Sequence, residues 1–266
     1  MKTIAIVSLF VGVGLAPQGR SEDLPADNLQ SEVVEYKQGD VVLEGFLVYP
    51  KDAKGKLPGV LVCHQWMGHS DYERRRAEET ARLGTVAFAL DIYGKGVRPK
   101  DPQEAAKMAG GYKGDRALLR ARALAGLEVL RKHDRCDAKK LAVMGYCFGG
   151  TTALEVARSG AEIAGAVSFH GDLSTPTPDD AKNIKGKVIA FHGADDPFVP
   201  APQVAAFETE MRKAGVDWQL VAYGGAVHSF TLKHAGNDNS KGSAYNEKAD
   251  LRSWEAYKAF LVEIFR

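Results

Sequence analysis

The sequence predicts an α/β protein, with a mostly parallel central sheet and helices on both faces. Three observations carry this. Short apolar runs alternate along the chain with segments of helical periodicity. The runs are apolar throughout rather than at every second residue, as strands buried on both faces must be. No linker or internal repeat interrupts them, so a single domain over residues 32–266 is the economical division.

The elements follow in chain order. Residues 41–49 are rich in β-formers and end at Pro50; 59–63 and 85–90 are short buried strands, and 141–146, 163–169, 188–192 and 218–223 repeat the pattern. Between them, Leu118, Ala121, Ala125 and Val129 share one helix face. So do Val204, Phe207, Met211 and Ala214, behind a helix-opening Pro202, and Trp254, Tyr257, Leu261 and Ile264 near the C-terminus. Arg74, Arg75 and Arg76 stand among Glu73, Glu78 and Glu79 and read as a solvated, charge-paired helix face. The stretch 94–114, with its glycines and prolines, reads as a loop and a candidate lid.

The N-terminus reads differently. Lys2 precedes an apolar stretch from Ile4 to Leu15, the pattern of a secretory signal peptide, with candidate cleavage sites at Gly14-Leu15-Ala16 and Gly19-Arg20-Ser21. Residues 1–21 are therefore expected to be a signal peptide or leader, and 21–31 its solvated continuation. A bacterial periplasmic or secreted location follows as an expectation, in a compartment that oxidises thiols. The three cysteines are too few for a disulfide scaffold; Cys63 and Cys136 are either bonded or, the plainer reading, two packed thiols.

Composition narrows the function. Lysine plus arginine number 35 against 34 acidic residues, a net charge of +1, which gives no case for a nucleic-acid partner. No apolar run reaches the roughly 18–20 residues of a membrane span. A monomer acting on a small molecule is the expectation. In a parallel sheet, ligands bind beyond the carboxyl ends of the strands. Those ends read His64-Gln65-Trp66, Asp91-Ile92-Tyr93, Cys147-Phe148, His170-Gly171, His192-Gly193 and Tyr223-Gly224, a polar and aromatic rim. His64, His170 and His192 read as hydrogen-bonded structural residues. Trp66, Tyr93 and Phe230 are candidate walls of a substrate pocket.

Gly145-Tyr146-Cys147-Phe148-Gly149 joins a strand to a helix and has the nucleophile-elbow spacing, with cysteine in place of serine. The glycines let strand and helix approach closely, and the helix N-terminus beneath the sulfur favours a thiolate. The N–H of Phe148 is placed to donate to an oxyanion. A cysteine nucleophile needs a base, and the base an orienting acid. Asp195 and Asp196 follow one strand, and Asp196 is preferred because Pro197 fixes its backbone; His228 lies in the loop after the last strand. Nucleophile, acid and histidine thus occur in the α/β-hydrolase order.

These segments, with Asp196-Pro197-Phe198-Val199-Pro200, His228-Ser229-Phe230, His64-Gln65-Trp66-Met67-Gly68 and Asp91-Ile92-Tyr93-Gly94, resemble the dienelactone hydrolase family of α/β-hydrolases. The resemblance covers nearly the whole chain after the leader. It implies an α/β-hydrolase domain, a Cys147–His228–Asp196 triad, and an oxyanion hole from the backbone N–H groups of Gln65 and Phe148. It implies hydrolysis of activated esters or lactones through an acyl-cysteine, with no metal or organic cofactor. Two positions depart from the family pattern. Gln65 stands where members carry a glutamate that takes part in activating the thiolate, and Leu232 where enzymes acting on dienelactones hold the substrate carboxylate with an arginine. The loss of that cation points to a more neutral or apolar substrate; Arg98 is a possible replacement, with a surface role the plainer reading. The alternative function is a catalytically weak ligand-binding protein on the same fold, and a redox role for Cys147 lacks a nearby resolving cysteine.

Overall fold

The structure is a computed structural model that describes residues 28–266. The signal-peptide reading falls on residues 1–21, outside the described residues. Eight strands form one sheet: β1 (Leu29–Gln38), β2 (Val41–Pro50), β3 (Leu57–Cys63), β4 (Val86–Ala89), β5 (Cys136–Tyr146), β6 (Gly165–Phe169), β7 (Lys187–Gly193) and β8 (Trp218–Tyr223). Their spatial order is β1-β2-β4-β3-β5-β6-β7-β8. Strands β4 to β8 and β3 run parallel, and β2 and β1 continue one edge antiparallel.

Among the described residues six α-helices cover the sheet: α1 (Asp71–Arg82), α2 (Pro102–Gly114), α3 (Arg116–Lys132), α4 (Phe148–Arg158), α5 (Ala201–Ala214) and α6 (Glu247–Ile264). The central strands alternate between two cores. Leu61, Cys63, Leu141, Val143, Val188 and Ala190 point to the side of α3, α4 and α5. Val60, Val62, Ala142, Met144, Ile189 and Phe191 point to the side of α1 and α6. With both faces covered, no position along these strands can be polar at low cost, which is why they read as continuous apolar runs.

Four features differ from the sequence reading. β1 begins at Leu29, so three of the residues read as leader belong to the sheet. Its exposed edge carries Glu32, Glu35 and Lys37, which leave the strand without an apolar run. The stretch read as a lid contains α2; Asp101 accepts the N–H of Glu104 at 2.8 Å and Pro102 opens the first turn, a start signal masked by Gly110, Gly111 and Gly114. On α3 the buried stripe is Leu119, Arg122, Ala123, Gly126, Leu127 and Leu130, one position on from the predicted face.

The fourth difference is on α1, where Glu73 and Arg76 are buried rather than solvated. Arg76 donates to Asp250 at 2.9 Å, to Glu79 at 3.0 Å and to the Tyr72 hydroxyl at 3.2 Å. Its guanidinium also lies over the rings of Tyr72, Tyr146 and Trp254. An arginine can enter a core when its fork is paired and its faces are stacked.

Candidate active site

Chain order places the site. From β3 the chain crosses to β4 on one side, then returns to β5 on the other. In a parallel sheet such a reversal marks where ligands bind, here at the carboxyl ends of β3 and β5. Cys63 pairs with Gly145 there, so the segment after β3 and the turn after β5 are neighbours.

The turn after β5 holds Cys147 at φ 56° and ψ −117°. A non-glycine residue adopts such angles only when its surroundings impose them. The flanking glycines explain how. A Cβ on Gly149 would lie 2.1 Å from the carbonyl oxygen of Cys63, and one on Gly145 would lie 2.1 Å from the carbonyl oxygen of Gly149. The α4 start is thus pressed onto β3 and β5 at a distance that any side chain would block.

Cys147 Sγ lies 3.1 Å from His228 Nε2, and His228 Nδ1 lies 2.9 Å from Asp196 Oδ2. The other oxygen of Asp196 accepts the N–H of Phe198 at 2.8 Å. Asp195 is exposed and instead accepts the N–H of Gly225. Burial pushes the Cys147 thiol up, but the charge and hydrogen bond of His228, the Phe148 N–H and the charge of Lys113 together bring it below its ordinary value. Burial pushes His228 down, and Cys147 and Asp196 outweigh it, raising the imidazole to about 10. Both shifts favour a thiolate beside an imidazolium.

Two rings hold the imidazole of His228 edge to face. They are Phe198 at 5.5 Å, exposed at the rim, and His170 at 5.3 Å, fully buried. His170 Nε2 meets Thr231 Oγ1 at 2.8 Å, and Thr231 Oγ1 in turn meets the Tyr72 hydroxyl at 2.8 Å. Burial holds His170 well below the usual histidine range, so its ring is neutral.

The segment after β3 makes a turn from Gln65 to Gly68, closed by the Gly68 N–H on the Gln65 carbonyl at 3.1 Å. His64 accepts the N–H of Ile92 on Nε2, so Nδ1 carries the hydrogen and donates to the same Gln65 carbonyl at 2.6 Å. The Tyr93 hydroxyl donates to the Trp66 carbonyl at 2.8 Å. The expected oxyanion donor, the Gln65 N–H, is occupied: it donates to Glu73 Oε1 at 3.2 Å. The N–H groups of the central turn residues, Trp66 and Met67, meet no acceptor among the described residues.

The pocket residues separate. Trp66 is about one-third exposed at the turn. Tyr93 is buried beneath it, stacked on Tyr112 at 5.5 Å and 5.9 Å from the ring of Phe148. Phe230 is a correction: it is 0 % exposed in the core between the sheet and α1 and α6, against His170 and Tyr223, and offers no surface to a substrate. Leu232 is likewise buried in that core. Arg98 is half-buried; its Nε and Nη1 donate to the carbonyls of His69, Gly94 and Val97, with Nη1 3.7 Å from Asp91, so it braces the loop after β4. Cys63 and Cys136 are free thiols. Cys136 sits beside Leu57 at the far end of the strand pair, roughly 20 Å from Cys63 at strand spacing. Sequence reasoning missed Glu73, Lys113 and Phe198. The Ser70-x-x-Glu73 capping box was the available signal for the first; nothing local marked the other two.

Comparison with known proteins agrees with this architecture. The family model described as "Dienelactone hydrolase family" matches residues 43–265. Protein usf of Aquifex pyrophilus is 30% identical over 237 residues, which is 87% of this chain and 98% of that protein. A Bradyrhizobium sp protein named "Probable 2-oxo-3-(5-oxofuran-2-ylidene)propanoate lactonase" is 31% identical, over 66% of this chain and 74% of its own length. Among solved structures, a dienelactone hydrolase-like promiscuous phosphotriesterase from metagenomic libraries superposes with a TM-score of 0.84 at 37% identity, covering 90% of this chain and 100% of that one. The chain belongs to the dienelactone hydrolase family.

Proposed function

We propose that this protein hydrolyses activated carboxylic esters or lactones through a Cys147 acyl-enzyme. The observation that carries the proposal is the sulfur 3.1 Å from an imidazole whose far nitrogen is 2.9 Å from a buried carboxylate. A protein that only binds ligand has no use for such a pair at a strained elbow. The Cys147 thiolate attacks the carbonyl carbon, and the N–H groups of Phe148 and Trp66 receive the oxyanion. Trp66 takes the place first given to Gln65, because a donor already bound to a carboxylate has little left for a second acceptor. Collapse of the intermediate forms the thioester and releases the alcohol, which His228 protonates. Water, activated by His228, then frees the acid and restores the thiol.

Sulfur decides the substrate class. A thiol ionises at about 8.5, a simple alcohol many units higher. The tetrahedral intermediate therefore expels thiolate in preference to an alkoxide, and turnover needs a good leaving group: an enol, a phenol or a thiol. The relative named as a lactonase supports the same class. Leu232, buried and apolar, supports a substrate without a carboxylate at that position. Intact-protein mass spectrometry after brief exposure to p-nitrophenyl acetate tests this. One acetyl group on Cys147, absent from Cys147→Ala, is expected; acetylation elsewhere with turnover intact in Cys147→Ala refutes it.

We also propose export to the periplasm or beyond, on the strength of Lys2 and the apolar stretch from Ile4 to Leu15. Fractionation and N-terminal sequencing of the mature protein test it. An uncleaved chain in the cytoplasm refutes it.

A further inference from the structure

Each peptide unit of the Gln65–Gly68 turn is tied down through one of its polar groups. The Gln65 carbonyl takes both the Gly68 N–H and His64 Nδ1–H, and the Trp66 carbonyl takes the Tyr93 hydroxyl. In a trans peptide the N–H points opposite the carbonyl. Pinning the Gln65 carbonyl therefore sets the direction of the Trp66 N–H. The remaining freedom is rotation at the entrance to the turn, and Glu73 removes it by holding the Gln65 N–H at 3.2 Å.

Glu73 does more than cap α1. As a capping-box residue it needs one oxygen, and Oε2 serves, accepting the Ser70 N–H at 3.0 Å and the Ser70 hydroxyl at 2.6 Å. Its second oxygen would ordinarily face water. Here the side chain is buried, at 1 % exposure, and Oε1 reaches to a separate segment. Burying a carboxylate is unfavourable, and burial does raise the pKa of Glu73. Three hydrogen bonds and the start of α1 offset part of that cost. The bond to Gln65 is the one that a helix cap does not require.

We propose that Glu73 is a positioning residue for the oxyanion hole: by holding the Gln65 N–H, it turns that donor away from the sulfur and aims the Trp66 N–H at the developing oxyanion. The inference rests on the Cys147 reading above. It also assigns a carboxylate to this turn although Gln65 itself carries none.

The test separates reactions of the same sulfur. Ester hydrolysis needs the oxyanion hole; alkylation of Cys147 by iodoacetamide needs the thiolate alone. In Glu73→Gln the amide nitrogen must face either Gln65 N–H or Ser70 N–H, donor against donor, whichever way it is turned. Removing an oxyanion donor lowers kcat by roughly 100–1,000-fold, so misaiming one is expected to cost roughly 10–100-fold in kcat for p-nitrophenyl acetate. KM is expected to stay within about threefold and the alkylation rate within about twofold. A kcat within about twofold of the parent overturns the proposal. So does an alkylation rate that falls in step with kcat, since that is damage to the sulfur's surroundings or to the fold. Ser70→Ala, which frees only one of the three bonds, keeps the proposal testable if Glu73→Gln does not fold. Its kcat is expected to fall about 2–10-fold with alkylation unchanged, and no fall overturns the idea. The parent reading fails separately, if Cys147→Ala retains turnover.

Discussion

Asp196→Asn tests the charge arrangement of the site with almost no change of shape. Asp196 is held from both sides: Oδ1 accepts the Phe198 N–H at 2.8 Å and Oδ2 faces His228 Nδ1 at 2.9 Å. An asparagine must satisfy the same Phe198 N–H, and only its oxygen accepts. Its NH2 group is therefore turned toward His228 Nδ1, which must become an acceptor. The hydrogen of a neutral imidazole then sits on Nε2, facing the sulfur, and the ring has no lone pair to receive the thiol proton. Burial, the largest influence on Cys147, is then opposed far more weakly and the thiol rises. Even an ordinary thiol near about 8.5 is only about 3 % ionised at pH 7, so ionisation alone costs roughly 30-fold. The wrong tautomer in a serine triad costs about 10,000-fold. A fall in kcat/KM of roughly 100–10,000-fold is expected with p-nitrophenyl acetate at pH 7. The rate of alkylation by iodoacetamide should fall at pH 7 and recover at higher pH. Activity within about threefold of the parent, with the alkylation profile unmoved, refutes the charge arrangement.

Other consequences are independent of that variant. In the parent protein, alkylation of Cys147 should half-saturate below the pH of a free thiol, because the Cys147 pKa is lowered; ester turnover should rise through the same pH and decline near pH 10 as His228 loses its proton. A profile set by a single group near about 8.5 counts against the ion pair. Gly149→Ala puts a methyl 2.1 Å from the Cys63 carbonyl oxygen and is expected to destabilise by about 3–5 kcal/mol in urea unfolding, or to prevent folding. Glu210→Ala leaves Arg158, fully buried and held by both Glu210 oxygens at 2.8 Å, without its main partner; about 3–5 kcal/mol is expected in the same assay. Tyr93→Phe removes the 2.8 Å bond to the Trp66 carbonyl. It should cost about 1 kcal/mol of stability and lower kcat more than it changes KM.

What the sequence made legible was whatever left a continuous or strictly spaced pattern. Strands β3 to β7 could be read because both faces of their central residues are covered, and β2 and β8 because they are rich in β-formers. The elbow could be read because a close approach of backbones admits only glycine at two fixed positions. β1 could not, since an edge strand exposed on one face carries charges and alternates. α2 could not, since its glycines outweighed an Asp-Pro start signal. On α3 the periodicity was right and the phase wrong by one residue, because Leu118 and Leu119 compete for the same pattern and only packing chooses between them. The site divides in the same way. Asp196 was separable from Asp195 by its proline, whereas Glu73 and Arg76 looked like surface charges, because nothing local reveals that a charged side chain is paired in a core.

Backbone strain gathers around the sulfur–imidazole pair of the proposed site. Among the described residues, three non-glycine positions have positive φ: Cys147 at 56°, His170 at 40° and Ser229 at 59°. One bears the sulfur, one presents a ring to His228, and one adjoins His228 itself. Each costs about 1–3 kcal/mol relative to relaxed backbone. Glycine would relieve that strain at any of the three, but glycine at 147 or 170 would remove the sulfur or the ring. The strain is sustained by what lies behind it: Gly145 and Gly149 clamp the elbow, Thr231 ties His170 to Tyr72 on α1, and the Asn246 N–H, on the Phe230 carbonyl at 3.0 Å, anchors the loop beyond Ser229. Because those anchors lie on β5, α4, α1 and the start of α6, the two cores on either side of the sheet converge on one sulfur–imidazole distance. Substitutions deep in either core are therefore expected to change the reactivity of Cys147 before they unfold the protein.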